Sequence, residues 1–158
     1  MIDNYIGIMI ESLRRKKDVL TDILKLSEEQ SLLLDDPNLE PDTFEKNVNR
    51  KAALIDKLEQ LDTGFESLYE KVKEELESNR DIHKEQIRQM QELIRALTEL
   101  NMQIQATEAR NKEKATAKFA YIRQQAKEIR SSQKIVKEYY NNMMHKAYNE
   151  PHFLDNKK

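Results

Sequence analysis

Cysteine is absent from the 158-residue chain, and glycine and proline number only two and three. The first absence excludes a disulfide framework and a thiolate metal site. So few glycines leave no phosphate-cradling loop and no nucleophile elbow. Aromatic residues make up 6% of the chain, and neither they nor the β-branched residues alternate with polar ones over a strand's length, so no sheet is expected. No apolar run reaches the roughly 20 residues that a bilayer span requires. The stretch Tyr5 to Ile10 is stopped by Glu11 and by Arg14-Arg15-Lys16-Lys17. The opening Met1-Ile2-Asp3-Asn4-Tyr5 also lacks the basic region of an export leader, and a cytoplasmic location is expected.

Charge of one sign is missing too. Lys and Arg number 27 against 29 Asp and Glu, and the signs are interleaved, as on solvated helix faces rather than in a disordered polyelectrolyte. What remains is a chain that is 35% charged and 38% hydrophobic, dominated by Glu, Lys, Gln, Leu and Arg, all strong helix formers. The predicted fold class is all-α: an antiparallel bundle of long helices with an extended C-terminal helix free to project from it. Residues 1–104 are expected to form the helical core, 105–150 an amphipathic partner-binding helix and 151–158 a tail.

The spacing of apolar residues supports this division. Ile2, Ile6, Met9, Leu13, Leu20, Ile23 and Leu34 follow steps of three and four, with Lys16, Ser27 and Gln30 occupying three positions of the same register. Pro37 and Pro41 then end the first helix, since proline removes a backbone donor and restricts the residue before it. A second helix, capped by Asp42 or Thr43, carries an unbroken seam at Leu54, Leu58, Leu61, Phe65, Leu68 and Val72, flanked by Val48, Ile55 and Leu76. Gly64, inside that seam, is read as admitting a close neighbour. A turn is expected over Ser78-Asn79-Arg80-Asp81, with a continuous helix as the alternative, then a third helix with Ile87, Met90, Leu93, Ile94, Leu97, Leu100 and Ile104. From Gln105 to Lys118 the only apolar residues are alanines, so this stretch should stay helical while burying little.

No catalytic constellation is found, and no enzyme activity and no cofactor are expected. The carboxylates pair with cations three or four residues away, as Glu70 with Lys73 and Glu74 with Lys71. His83, His145 and His152 lie far apart, and only the last two are close enough in sequence to share a metal, with solvated side chains the simpler reading. Arg14 to Lys17 are consecutive and point in four directions on a helix, which makes a solvated collar rather than a nucleic-acid or membrane patch. Residues 110–146 hold ten basic and three acidic side chains, and residues 28–77 hold fifteen acidic and six basic. The basic third can complement the acidic second helix as readily as it could bind phosphate.

A final stripe runs through Phe119, Ile122, Ala126, Ile129, Gln133, Val136, Tyr140 and Met143, widened by Ile135 and Tyr139. Two readings stand side by side: the stripe packs on the chain's own helices, or it receives another protein. The second draws on its place beyond a third helix already long enough to close a bundle, and on its ending in Tyr139, Tyr140, Met143 and Met144. Tyrosine and methionine make adaptable amphipathic contacts. The candidate partner-binding residues are therefore Phe119, Ile122, Ile129, Val136, Tyr139, Tyr140 and Met143. A self-associating coiled-coil adaptor is the alternative, weakened by Lys16, Asp62 and Gln133 in the seams.

The run Leu24-Lys25-Leu26-Ser27-Glu28-Glu29-Gln30-Ser31-Leu32-Leu33, the Asp-rich loop after it and Lys51-Ala52-Ala53-Leu54-Ile55-Asp56-Lys57-Leu58 are together similar to the FlgN family of flagellar type III export chaperones. Leu100-Asn101 and a C-terminal helix ending in tyrosine extend the resemblance over most of the chain. It implies a chaperone that keeps hook-associated (hook-filament junction) proteins competent for export by binding their C-terminal segments, and that delivers them to an export gate component. It also implies substrate binding at Ile122, Ile129, Val136, Tyr140 and Met143, and gate docking through Tyr139 or Tyr140. The chain departs from many members in lacking a glycine-rich segment after the tyrosine.

Overall fold

The computed structural model describes residues 2–125 and 130–147, with side chains for residues 2–124 and 135–143. Its four helices are α1 (Ile2–Asp35), α2 (Pro41–Ser78), α3 (Lys84–Gln125) and α4 (Arg130–Ala147). The protein is all-α, and no strand occurs among the described residues.

The helix ends follow from local chemistry. The amide of Asn38 donates to Asp36 Oδ1 at 2.8 Å, closing a turn that Pro37 favours, and Pro41 occupies the first turn of α2, where its missing donor costs nothing. The N-cap is Glu40, with an extended backbone and no side-chain cap, rather than the expected Asp42 or Thr43. Asp42 instead sits in the first turn, where the helix dipole favours its charge. At the far end the amide of Asn79 donates to Glu75 O at 2.9 Å, and the amide of Ile87 to His83 O at 2.9 Å. The buried His83 ring lies 2.8 Å from Glu75, whose carboxyl this contact and Asn79 hold below its ordinary pKa.

Helix α1 is the central element: α2 packs antiparallel against it and α3 parallel to it. Ile6, Met9, Leu13, Leu20, Ile23 and Leu34 are buried as the register predicts, and the register's polar members Lys16, Ser27 and Gln30 are buried with them. The seam of α2 is rotated from the expected one. Phe44, Val48, Lys51, Ile55, Phe65, Tyr69, Val72 and Leu76 form its buried line, and Leu54, Leu58, Leu61 and Leu68 are only half-buried beside it. Gly64 is exposed, and a Cβ there would meet nothing within 4 Å, so its tolerance comes from open space and not from a close neighbour.

The four consecutive cations near the start of α1 divide as a helix dictates. Arg14, Arg15 and Lys17 are exposed, while Lys16 turns inward and meets Asp62 of α2 at 2.6 Å. The basic stretch of α3 serves the C-terminus of α1. Lys118 Nζ donates to Leu34 O at 3.3 Å and also to Asp36 O, and Lys114 reaches Ser31 Oγ at 2.9 Å and Asp35 at 3.0 Å. Cations at these positions satisfy carbonyls that the helix end leaves without partners.

Candidate functional site

Helix α4 packs on α3 and α2 over the half of the bundle nearest the α1–α2 loop. Val136, Tyr139, Tyr140 and Met143 all face inward and are buried. Phe119 and Ile122, at the end of α3, meet Ile135 and Val136 of α4 around an apolar cavity of about 220 Å³ that Leu39, Phe44 and Val48 complete. Phe119 is buried with its ring edge on Phe44, centroids 5.3 Å apart, and Ile122 is half-buried. The predicted stripe thus lies on two helices that face each other, and of the two readings the chain's own packing takes it in this structure. Ile129 lies outside the described residues, as do the side chains of His145 and His152.

Beneath the two tyrosines lies a polar layer drawn from every helix. Lys51 of α2 is 0% exposed and Glu108 of α3 only 2%, and they meet at 2.6 Å. Lys51 Nζ also donates to Gln30 Oε1 at 3.0 Å, and the Ser27 hydroxyl lies between Glu108 Oε1 and the Ile23 carbonyl, which is 2.9 Å away. Its single proton serves one acceptor at a time. Asn111 Nδ2 donates to Ser27 O at 2.8 Å and reaches Gln30 Oε1 at 3.3 Å. From α4, Tyr140 OH donates to the same Gln30 Oε1 at 2.9 Å, and the Tyr139 ring lies over Lys51 Nζ, 4.5 Å from its centroid. Gln30 Oε1 therefore faces three donors with two lone pairs, an arrangement that fixes the orientation of its amide.

The layer is only partly satisfied. Gln30 Nε2, Glu108 Oε2, Asn111 Oδ1 and Tyr139 OH are buried without a partner among the described residues. Burial sets the electrostatics: desolvation lowers the Lys51 ammonium to about pKa 8 against the pull of Glu108. Desolvation, and then the Glu108 charge, push the Tyr139 and Tyr140 phenols well above their ordinary value. At neutral pH both phenols keep their protons and the amine is charged, as the Tyr140–Gln30 and Lys51–Glu108 contacts require.

Sequence reasoning named the α4 half of this site and missed the other half. Residues 105–118 were expected to bury little, yet Thr107, Glu108, Asn111 and Ala115 are all buried. The signal was the register itself: Ile94, Leu97, Asn101, Ile104, Glu108, Asn111, Ala115 and Phe119 continue in steps of three and four through the change to polar residues. For Lys51 the sequence offers no signal beyond its place in the family-like run Lys51 to Leu58.

Among the described residues no group of three or more acidic or histidine side chains could hold a metal, and no helix is long and apolar enough to cross a membrane. No curated protein and no solved structure matches the chain. Residues 1–145 match the family described as FlgN protein, a span that covers all four helices except the last two residues of α4. The chain belongs to the FlgN family of flagellar export chaperones.

Proposed function

We propose that this chaperone binds the C-terminal segments of hook-associated proteins through the stripe Phe119, Ile122, Ile129, Val136, Tyr139, Tyr140 and Met143, and delivers them to the export gate. The supporting observation is that Val136, Tyr139, Tyr140 and Met143 of the stripe are buried in a groove formed by the other helices, so this face of α4 is shaped to pack against helical surfaces. An export substrate whose terminus is unfolded alone could gain a helical partner from the same surfaces, and its ordering entropy would keep affinity moderate and release easy. Residues 105–150 would then be the working part and residues 1–104 its support. The self-associating adaptor has less support, since Val136, Tyr140 and Met143 are buried within one chain and need no second copy to cover them.

The test is titration of the full chain with peptides from the C-termini of hook-filament junction proteins, beside a Val136→Asp, Tyr140→Asp variant. Saturable binding that the variant loses, while circular dichroism shows α1–α3 still folded, is the expected result. Absence of binding by the unmodified chain refutes the proposal.

A further inference from the structure

The two halves of the bundle are built differently. Toward the α2–α3 turn the core is mainly apolar, with Met9, Leu13, Val72, Met90 and Leu97 at its centre and the buried His83 and Lys16 paired with carboxylates at its margin. Under α4 the bundle presents Gln30, Lys51, Glu108 and Asn111 instead, all fully or almost fully buried. Helix α4 holds this surface by one phenol hydrogen bond to Gln30, one tyrosine face on Lys51 and the apolar side chains of Val136 and Met143.

A polar interface of this kind differs from an apolar one in what release costs. When α4 lifts off, Gln30 Nε2, Glu108 Oε2, Asn111 Oδ1 and Tyr139 OH gain water in place of having no partner among the described residues, and Gln30 Oε1 exchanges one of three donors for solvent. Hydration of these groups offsets part of the apolar burial lost by Val136, Tyr140 and Met143. Helix α1 meanwhile keeps its long contacts with α2 and α3. The docked helix can therefore open as a unit while the other three stay together.

We propose that α4 is an intramolecular latch: docked, it hides the stripe on the chain's own polar layer, and the partner binds only the population in which Tyr140 has left Gln30 and Tyr139 has left Lys51. The proposal rests on the stripe being the partner-binding element, and it assigns the regulation of that site to the competition between α4 docking and partner binding. Apparent affinity then equals the intrinsic affinity scaled by the open fraction.

Because the chain has no cysteine, single thiols report on opening without interference. Val136→Cys lies on the stripe and Val72→Cys in the apolar half, and each is treated with a chromogenic disulfide reagent under native conditions. The latch predicts that the thiol at 136 reacts faster by on the order of tenfold or more. It also predicts that Ile94→Val accelerates the thiol at 72 and leaves that at 136 unchanged. Gln30→Leu, on α1 and outside the stripe, removes the acceptor of the Tyr140 hydroxyl and should speed labelling at 136 by roughly five- to tenfold and tighten binding of the junction-protein peptide by the same factor. Equal protection of the two thiols, both responding to Ile94→Val, overturns the latch and leaves the partner reading standing. Faster labelling at 136 with unchanged peptide affinity overturns the occlusion. Fast local opening with no peptide binding in either chain removes the partner reading instead, and leaves a latch on some other use of α4.

Discussion

Removing Lys51 is the sharpest perturbation the structure offers, because its carboxylate partner has nowhere to go. Glu108 is 2% exposed, accepts from Lys51 at 2.6 Å and retains only the Ser27 hydroxyl if the ammonium is lost. Breaking one side of a buried pair typically costs about 3–5 kcal/mol, since the remaining charge is uncompensated. The Ser27 hydroxyl stays with the Glu108 carboxylate, which places Lys51→Met near the lower figure, about 3 kcal/mol at pH 7. That is a large share of the stability of a domain held by about 5–15 kcal/mol. The double replacement Lys51→Met, Glu108→Leu removes both charges and should return to within about 1 kcal/mol of the parent, as apolar substitutes for buried pairs commonly do. The coupling between the two sites is then about 2 kcal/mol or more.

Urea unfolding followed by far-ultraviolet circular dichroism measures all four corners of the cycle, with the m-value checking that the same surface unfolds in each. A Lys51→Met cost below about 1 kcal/mol with an unchanged m-value would refute the reasoning. It would mean that water already reaches Glu108 and that the layer beneath α4 is not closed.

The second buried lysine supplies a contrast: Lys16 is 2% exposed but its partner Asp62 is 22% exposed and can hydrate, so Lys16→Met should cost under about 1 kcal/mol in the same assay. The depressed pKa of Lys51, about 8, gives a pH signature. Between pH 8 and the ordinary lysine value of 10.5 the unfolded chain binds more protons, so stability rises with pH across that window. The raised phenols of Tyr139 and Tyr140 act oppositely above the ordinary tyrosine value of 10.0, where the folded state keeps protons that the unfolded chain has lost. Urea midpoints should therefore climb from pH 8 to about 10 and fall beyond it, and the climb should vanish in the Lys51→Met, Glu108→Leu chain. Finally, Lys118→Ala leaves Leu34 O and Asp36 O without their cation and should cost about 1 kcal/mol, with faster amide exchange confined to residues 33–40.

How much of this was legible varied with the kind of signal. The register of α1 was readable from Ile6 to Leu34, where its apolar members are buried and its polar members mark where the core turns polar, while the half-buried Ile2 and the additional buried Ile10 and Val19 fall outside that reading. In α2 the leucines misled: four of them line a flank, while Phe44, Lys51 and Tyr69 take the buried line. Hydropathy assigns a lysine to solvent, and only a carboxylate on another helix can bring it inside. Glu108 and Asn111 were hidden for the same reason, although their positions in the three-and-four register were correct. The fold-back of α4 had no local marker, since residues 119–143 contain neither proline nor glycine. Periodicity fixed which face of that segment is apolar and left open what covers it.

What covers it also explains why the layer is polar. An apolar stripe with steps of three and four packs almost as well after a slide of seven residues, and a purely apolar groove would accept α4 in either position. The tyrosine pair removes that freedom. A slide in one direction carries Lys146 to the place of Tyr139, which sets a second ammonium against Lys51. A slide in the other brings Ser132 and Gln133 to the places of Tyr139 and Tyr140, and no aromatic face is left to cover the buried cation. Only the observed register gives Gln30 a phenol and Lys51 a ring at once. The same groups that make α4 easy to release therefore make it return to one place, and a partner that takes the stripe must outbid a groove built for this one register of α4.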